Sequence, residues 1–94
     1  MRSEIGTSSG GQLSSANDQV LSIEFHARST NALPAYAGMS DVGPNNGREL
    51  LPGEAVTLNF AQEGMDGHAG RDLFMNFHVN CTPGDKVDWM VILK

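Results

Sequence analysis

The sequence predicts an all-β protein: a small antiparallel β-sandwich or incomplete barrel of about four to six strands, with long loops and an extended N-terminal arm. Three observations carry this expectation. Apolar and polar side chains alternate with period two in several segments, turn dipeptides separate those segments, and no stretch shows the 3.6-residue periodicity of a helix.

Residues 1–17 are rich in Ser, Gly and Asn, with Ile5 and Leu13 as their substantial apolar side chains. Such a composition buries too little surface to offset its ordering entropy, so 1–17 is read as a polar arm and 18–94 as a single sandwich domain. A neighbouring subunit is the expected anchor for the arm. The first clear strand is Val20 to Arg28, where Leu21, Ile23, Phe25 and Ala27 alternate with Ser22, Glu24, His26 and Arg28. Residues 29–47 lose all periodicity and read as a long connection whose Leu33, Tyr36, Met39 and Val42 need a surface to cover.

Asn46-Gly47 is a turn dipeptide, Arg48 to Leu51 a short strand at most, and Pro52-Gly53 a second turn before Glu54 to Phe60. In that strand Val56, Leu58 and Phe60 share one face. A glycine-rich loop, 61–71, leads to the end of the chain, read as a hairpin: Leu73 to Asn80, a turn at Cys81-Thr-Pro-Gly-Asp-Lys86, and Val87 to Lys94. Leu73, Met75, Phe77 and Val79 are expected to face the core, as are Val87, Trp89, Val91 and Leu93. Met90 and Ile92 make the opposite face of the last strand apolar as well, which implies a central strand or a covering neighbour.

Composition excludes several function classes. Eleven Asp and Glu stand against six scattered Lys and Arg, so there is no basic stripe to neutralise phosphates, and neither nucleic acid nor membrane is an expected partner. The longest apolar run, Trp89 to Leu93, is far short of the roughly 20 residues of a membrane span. The first ten residues have no apolar centre, so no secretory signal is expected. Cys81 is the single cysteine, which leaves it without a disulfide partner in its own chain.

The chemistry-bearing residues are few. His26, His68, His78 and Cys81 are the candidate transition-metal ligands, and Phe77-His-Val-Asn-Cys-Thr-Pro-Gly-Asp85 resembles the copper-ligand loop of cupredoxins. The resemblance implies a small β-sandwich holding copper through a cysteine and two histidines. Gly84 stands where the family has its histidine, so the segment reads as a structural turn beside a free thiol, with His68, His78 and Cys81 as weak metal candidates and no cofactor expected. Asp66, His68 and Asp72 in the glycine-rich loop do not follow a calcium-loop order. Serines abound, but none sits in a Gly-x-Ser-x-Gly elbow, and Glu24, His26 and Arg28 on one wet face read as members of a cross-strand ion pair. No enzymatic activity is expected.

In layout, the chain resembles small head-surface proteins of tailed bacteriophages, the decoration and minor capsid proteins. The segments that carry this are Leu51-Pro-Gly-Glu-Ala-Val-Thr-Leu58 and Gly84-Asp-Lys-Val-Asp-Trp-Met-Val-Ile-Leu-Lys94, together with the acidic balance and the polar arm. The resemblance implies a non-enzymatic module that stabilises a virion capsid, often as a trimer, assembled in the host cytoplasm. Its partners would be capsid protein or further copies of itself, through Ile5, Leu13, Leu33, Tyr36, Met39, Met90 and Ile92. The alternative is a cupredoxin-like metal- or ligand-binding domain.

Overall fold

In the computed structural model, which describes residues 2–60 and 73–94, eight strands form two antiparallel four-stranded sheets. They are β1 (Arg2–Ser8), β2 (Gly11–Gln12), β3 (Val20–Ala27), β4 (Ala35–Gly38), β5 (Arg48–Leu50), β6 (Ala55–Asn59), β7 (His78–Asn80) and β8 (Val87–Leu93). One sheet has the order β1-β8-β3-β6, and the other β2-β7-β4-β5. Antiparallel pairing nests β1 with β8, β2 with β7, β3 with β6 and β4 with β5, while β3–β8 and β4–β7 complete the sheets. This nested order is that of a jelly roll, in which a long hairpin wraps into two facing sheets. The expected small sandwich is therefore the fold, built as two open sheets rather than a closed barrel.

Between the sheets lie Ile23, Phe25, Leu50, Phe74, Phe77, Val20, Val87, Val91 and Leu93, all fully buried. Each such side chain contributes about 1.5–3 kcal/mol through removal from water. The core is lined by aromatic contacts: the Phe74 and Trp89 rings meet edge to face with centroids 5.4 Å apart, and Phe60 packs on Phe77 at 5.9 Å. In β3 the core face runs Ile23, Phe25, Ala27, as the alternation predicts. A register irregularity between Val20 and Ser22 then turns Val20 inward and leaves Leu21 half-buried.

Several segments differ from the sequence reading. Within residues 1–17, expected to be an arm anchored on a neighbour, Arg2–Ser8 is an edge strand paired along its whole length with β8 of the same chain. Strand pairing is a main-chain interaction, so a polar segment can join a sheet without apolar alternation. Arg2 reaches both Glu4 and Asp18 with its guanidinium, tying the strand's first residue to the β2–β3 connection. Residues 29–47 contain β4, a central strand whose buried face is Ala35 and Ala37; alanines are too small to register as a hydrophobic pattern.

The terminal hairpin is corrected most sharply. β7 and β8 do not pair; they lie in opposite sheets, and the Pro-Gly segment crosses from one to the other. Only His78–Asn80 is strand in the first half, because Phe74–Asn76 forms a 3₁₀ turn. That turn shifts the face: Phe74 is fully buried while Met75 is exposed. The turn chemistry itself was legible. Asp85 N–H donates to Thr82 C=O at 2.9 Å with Gly84 at φ 94°, and Glu54 N–H donates to Leu51 C=O at 2.8 Å with Gly53 at φ 87°. Both are type II turns, with proline second and glycine at the left-handed third position.

Two buried polar side chains fix the crossings. The Asp85 carboxylate accepts the backbone N–H of Ala32 (2.9 Å) and of Leu33 (3.1 Å). Asn31 pairs with Lys86 like a strand residue: its Nδ2 donates to the Lys86 carbonyl and its Oδ1 accepts the Lys86 N–H, both at 2.8 Å. The β3–β4 and β7–β8 connections are thus joined by four side-chain-to-backbone hydrogen bonds. Replacing Asp85 by Ala orphans two N–H groups at a part-buried site, and a loss of about 2–4 kcal/mol is expected in urea unfolding, with Asp85→Asn falling between the two. An unchanged midpoint in Asp85→Ala would remove the clamp's structural role.

Candidate docking face

The outer face of the β1-β8-β3-β6 sheet is assembled by register. Thr7 of β1 lies opposite Asp88 of β8, which lies opposite His26 of β3, itself opposite Ala55 of β6. The next row along the strands is Ile5, Met90, Glu24 and Thr57, and the third is Ser3, Ile92, Ser22 and Asn59. Pairing therefore sets two apolar side chains, Ile5 and Met90, side by side at the β1–β8 end, with Ile92 two residues on. Ile5 is 77% exposed and Met90 44% exposed.

The polar row is tied together. The Arg28 guanidinium grips Asp88 bidentately, Nε to Oδ2 and Nη2 to Oδ1 at 3.0 Å each, and the Thr7 hydroxyl donates to Oδ1 at 2.6 Å. The hydrogen bonds from Arg28 and then from Thr7 hold the Asp88 carboxyl below its ordinary range. The predicted cross-strand ion pair on this face thus exists, with Asp88 as the partner of Arg28. Across these strands runs an open concavity of 490 Å³, lined among others by Ile5, Thr7, Glu24, His26, Asp88 and Met90.

Beneath it, Trp89 occupies the core side of β8 opposite Gly6. A Cβ at position 6 would lie 2.4 Å from the indole, so only glycine lets the ring fold beneath the edge strand. The sheet is thereby backed by a large rigid side chain, half-buried, which also lines the concavity together with Gly6.

The other predicted site residues fall elsewhere. Leu13 packs half-buried against the core, its N–H donating to the Phe77 carbonyl at 3.1 Å. Tyr36, His78 and Asn80 alternate with buried Ala35, Ala37 and Val79 and so face outward from the second sheet, where the Tyr36 hydroxyl meets Glu49 at 3.4 Å. Leu33 and Met39 are exposed on connections at either side of β4. Of the seven interface candidates, the structure brings together Ile5, Met90 and Ile92.

The metal candidates are engaged locally. His78 Nδ1 lies 3.1 Å from the Asn76 carbonyl, and the Cys81 thiol points to the Asp85 carbonyl at 3.6 Å. Burial, and then the nearby Asp85 charge, push the thiol's pKa up, away from the thiolate that would bind a metal or react. Among the described residues no three His, Cys, Asp or Glu side chains form a group that could hold a metal ion. His68, Asp66 and Asp72 lie outside the described residues. Sequence reasoning missed Asn31 and Asp85 entirely; Asp88 carried a signal, as the lone charge within the segment Val87 to Leu93.

The fold and face define a small jelly-roll domain presenting an apolar pair at the edge of one sheet. No family model matches the sequence, and no curated protein or solved structure matches it. No helix among the described residues is long and apolar enough to cross a membrane.

Two outcomes are expected from the geometry. A carboxylate with a lowered folded pKa adds stability above its unfolded value, near pH 4, and that stability is lost as pH falls through the folded pKa. Wild type should therefore exceed Asp88→Asn in urea midpoint at pH 7, with the gap closing toward pH 2; a constant gap would assign the difference to packing. Iodoacetamide at pH 8 should alkylate Cys81 more slowly in the folded chain than in urea, and equal rates would contradict the raised thiol pKa.

Proposed function

We propose that this protein is a non-enzymatic structural protein that assembles on a larger particle, as a virion capsid decoration or minor capsid protein that stabilises the shell. The observation that carries this reading is the adjacent pair Ile5 and Met90, exposed on the outer face of a sheet whose inner face carries the buried Ile23, Phe25, Val87, Val91 and Leu93. The buried core lies on the other face of the sheet, and the exposed surface of the apolar pair is available to a partner.

Three further features support it. Jelly rolls recur in viral capsid proteins, though they also serve lectins and cupins, so this is analogy at the level of fold. The Arg28–Asp88–Thr7 network ties three elements together beside the apolar pair, which presents it on a rigid surface. The acidic balance of the chain suits contact with protein rather than nucleic acid or an anionic membrane.

Sedimentation of the native source material tests the reading. The chain should travel in a fast-sedimenting fraction at many copies per particle, and Met90→Lys should release it by at least tenfold while leaving its circular dichroism unchanged, because position 90 faces outward. Recovery of the wild type solely as a slowly sedimenting free species would overturn the proposal.

A further inference from the structure

The edge of the same sheet carries a second inference, about the chain by itself. We infer that two copies associate edge to edge through β1, with the two strands antiparallel about a two-fold axis at Ile5. The sheets then join into one eight-stranded sheet spanning the pair.

β1 is the outermost strand of its sheet, and nothing among the described residues pairs with its other edge. Its seven residues are in continuous register with β8, without a bulge to twist the edge away. It contains no proline, and its charges, Arg2 and Glu4, sit toward one end. The second sheet, by contrast, is bounded by β2 and β5, of two and three residues. Short edges are a common way to discourage pairing; a long regular one is a template for another strand.

The strand's own sequence selects its occupant. Ile5 is the one large apolar side chain of Arg2–Ser8, and a two-fold axis there sets it against its own copy while pairing all seven of these residues. That register sets Ser3 opposite the copy's Thr7, Glu4 opposite Gly6 and Arg2 opposite Ser8. No like charges stand directly opposite each other. An axis at Glu4 would instead oppose the two Glu4 carboxylates. Because antiparallel pairing preserves the faces, Ile5 meets Ile5 on the outer side, and Met90, Ile5, Ile5 and Met90 form one apolar row across the joint. Each Ile5 then gains a second apolar cross-strand neighbour, beside the Met90 it already has, in place of water.

This association is independent of attachment to a particle: Met90→Lys leaves the strand edge intact, whereas Ile5→Lys places two ammonium groups opposite each other. In sedimentation equilibrium the wild type should approach twice the chain mass with rising concentration, and Ile5→Lys should remain at one chain mass with an unchanged circular dichroism spectrum. Register is read by oxidative cross-linking in a Cys81→Ser background. Ile5→Cys should form a disulfide dimer, since directly opposed Cα atoms lie about 4.5–5.5 Å apart. Ser3→Cys should not, being displaced from its own copy by four residues, roughly 13–14 Å along the strands. A wild type that stays at one chain mass up to about 1 mM overturns the inference. So does preferential cross-linking of Ser3→Cys, which would place the axis elsewhere.

Discussion

The structure depends on the hydrogen-bonded joint between the β3–β4 and β7–β8 connections. β3 and β8 are the central strands of one sheet, and β4 and β7 are the central strands of the other. Both connections pass from sheet to sheet, so the four central strands meet in two adjacent crossings. Asn31 and Asp85, each nearly buried, satisfy the backbone groups that these crossings remove from water. Buried donors without partners are costly, and here each of the four has a partner at ordinary hydrogen-bond distance.

With the crossings fixed, the two sheets face each other at the separation their side chains require. Phe25, Phe74 and Phe77 fill the space, and Trp89 closes it under β1 because Gly6 yields the room. The inner face of β8 is thus fully used. Among the described residues no element covers its outer face, where Met90 and the half-buried Ile92 lie beside Ile5. Both functional readings rest on this asymmetry, one through the face and the other through the edge that continues it.

Much of this was legible in the primary structure. The alternation of Ile23, Phe25 and Ala27, and of Val56 and Leu58, identified half-buried strands because side chains on a strand leave opposite faces in turn. Pro52-Gly53 and Pro83-Gly84 specified their turn type, since proline and glycine constrain the backbone locally. The apolar second face of Val87–Leu93 pointed to Met90 and Ile92. What stayed hidden was non-local. Ala35 and Ala37 are buried by their position in the middle of a sheet, and β1 is a strand because β8 lies beside it, neither of which shows in a hydrophobic pattern.

The sequence by itself determined the all-β class, the strands with strong alternation, the two type II turns and the acidic, lone-thiol chemistry of the chain, all of which follow from backbone preference and side-chain polarity over a few residues. Only the tertiary structure decided which strands pair. The terminal hairpin read from Leu73 to Lys94 is opened between two sheets because Asp85 and Asn31 bond to residues 55 positions or so away along the chain, and a hydrogen bond across that separation leaves no periodic mark in the sequence. The same placement gathered Ile5 and Met90, residues near opposite ends of the chain, into one apolar pair at a sheet edge.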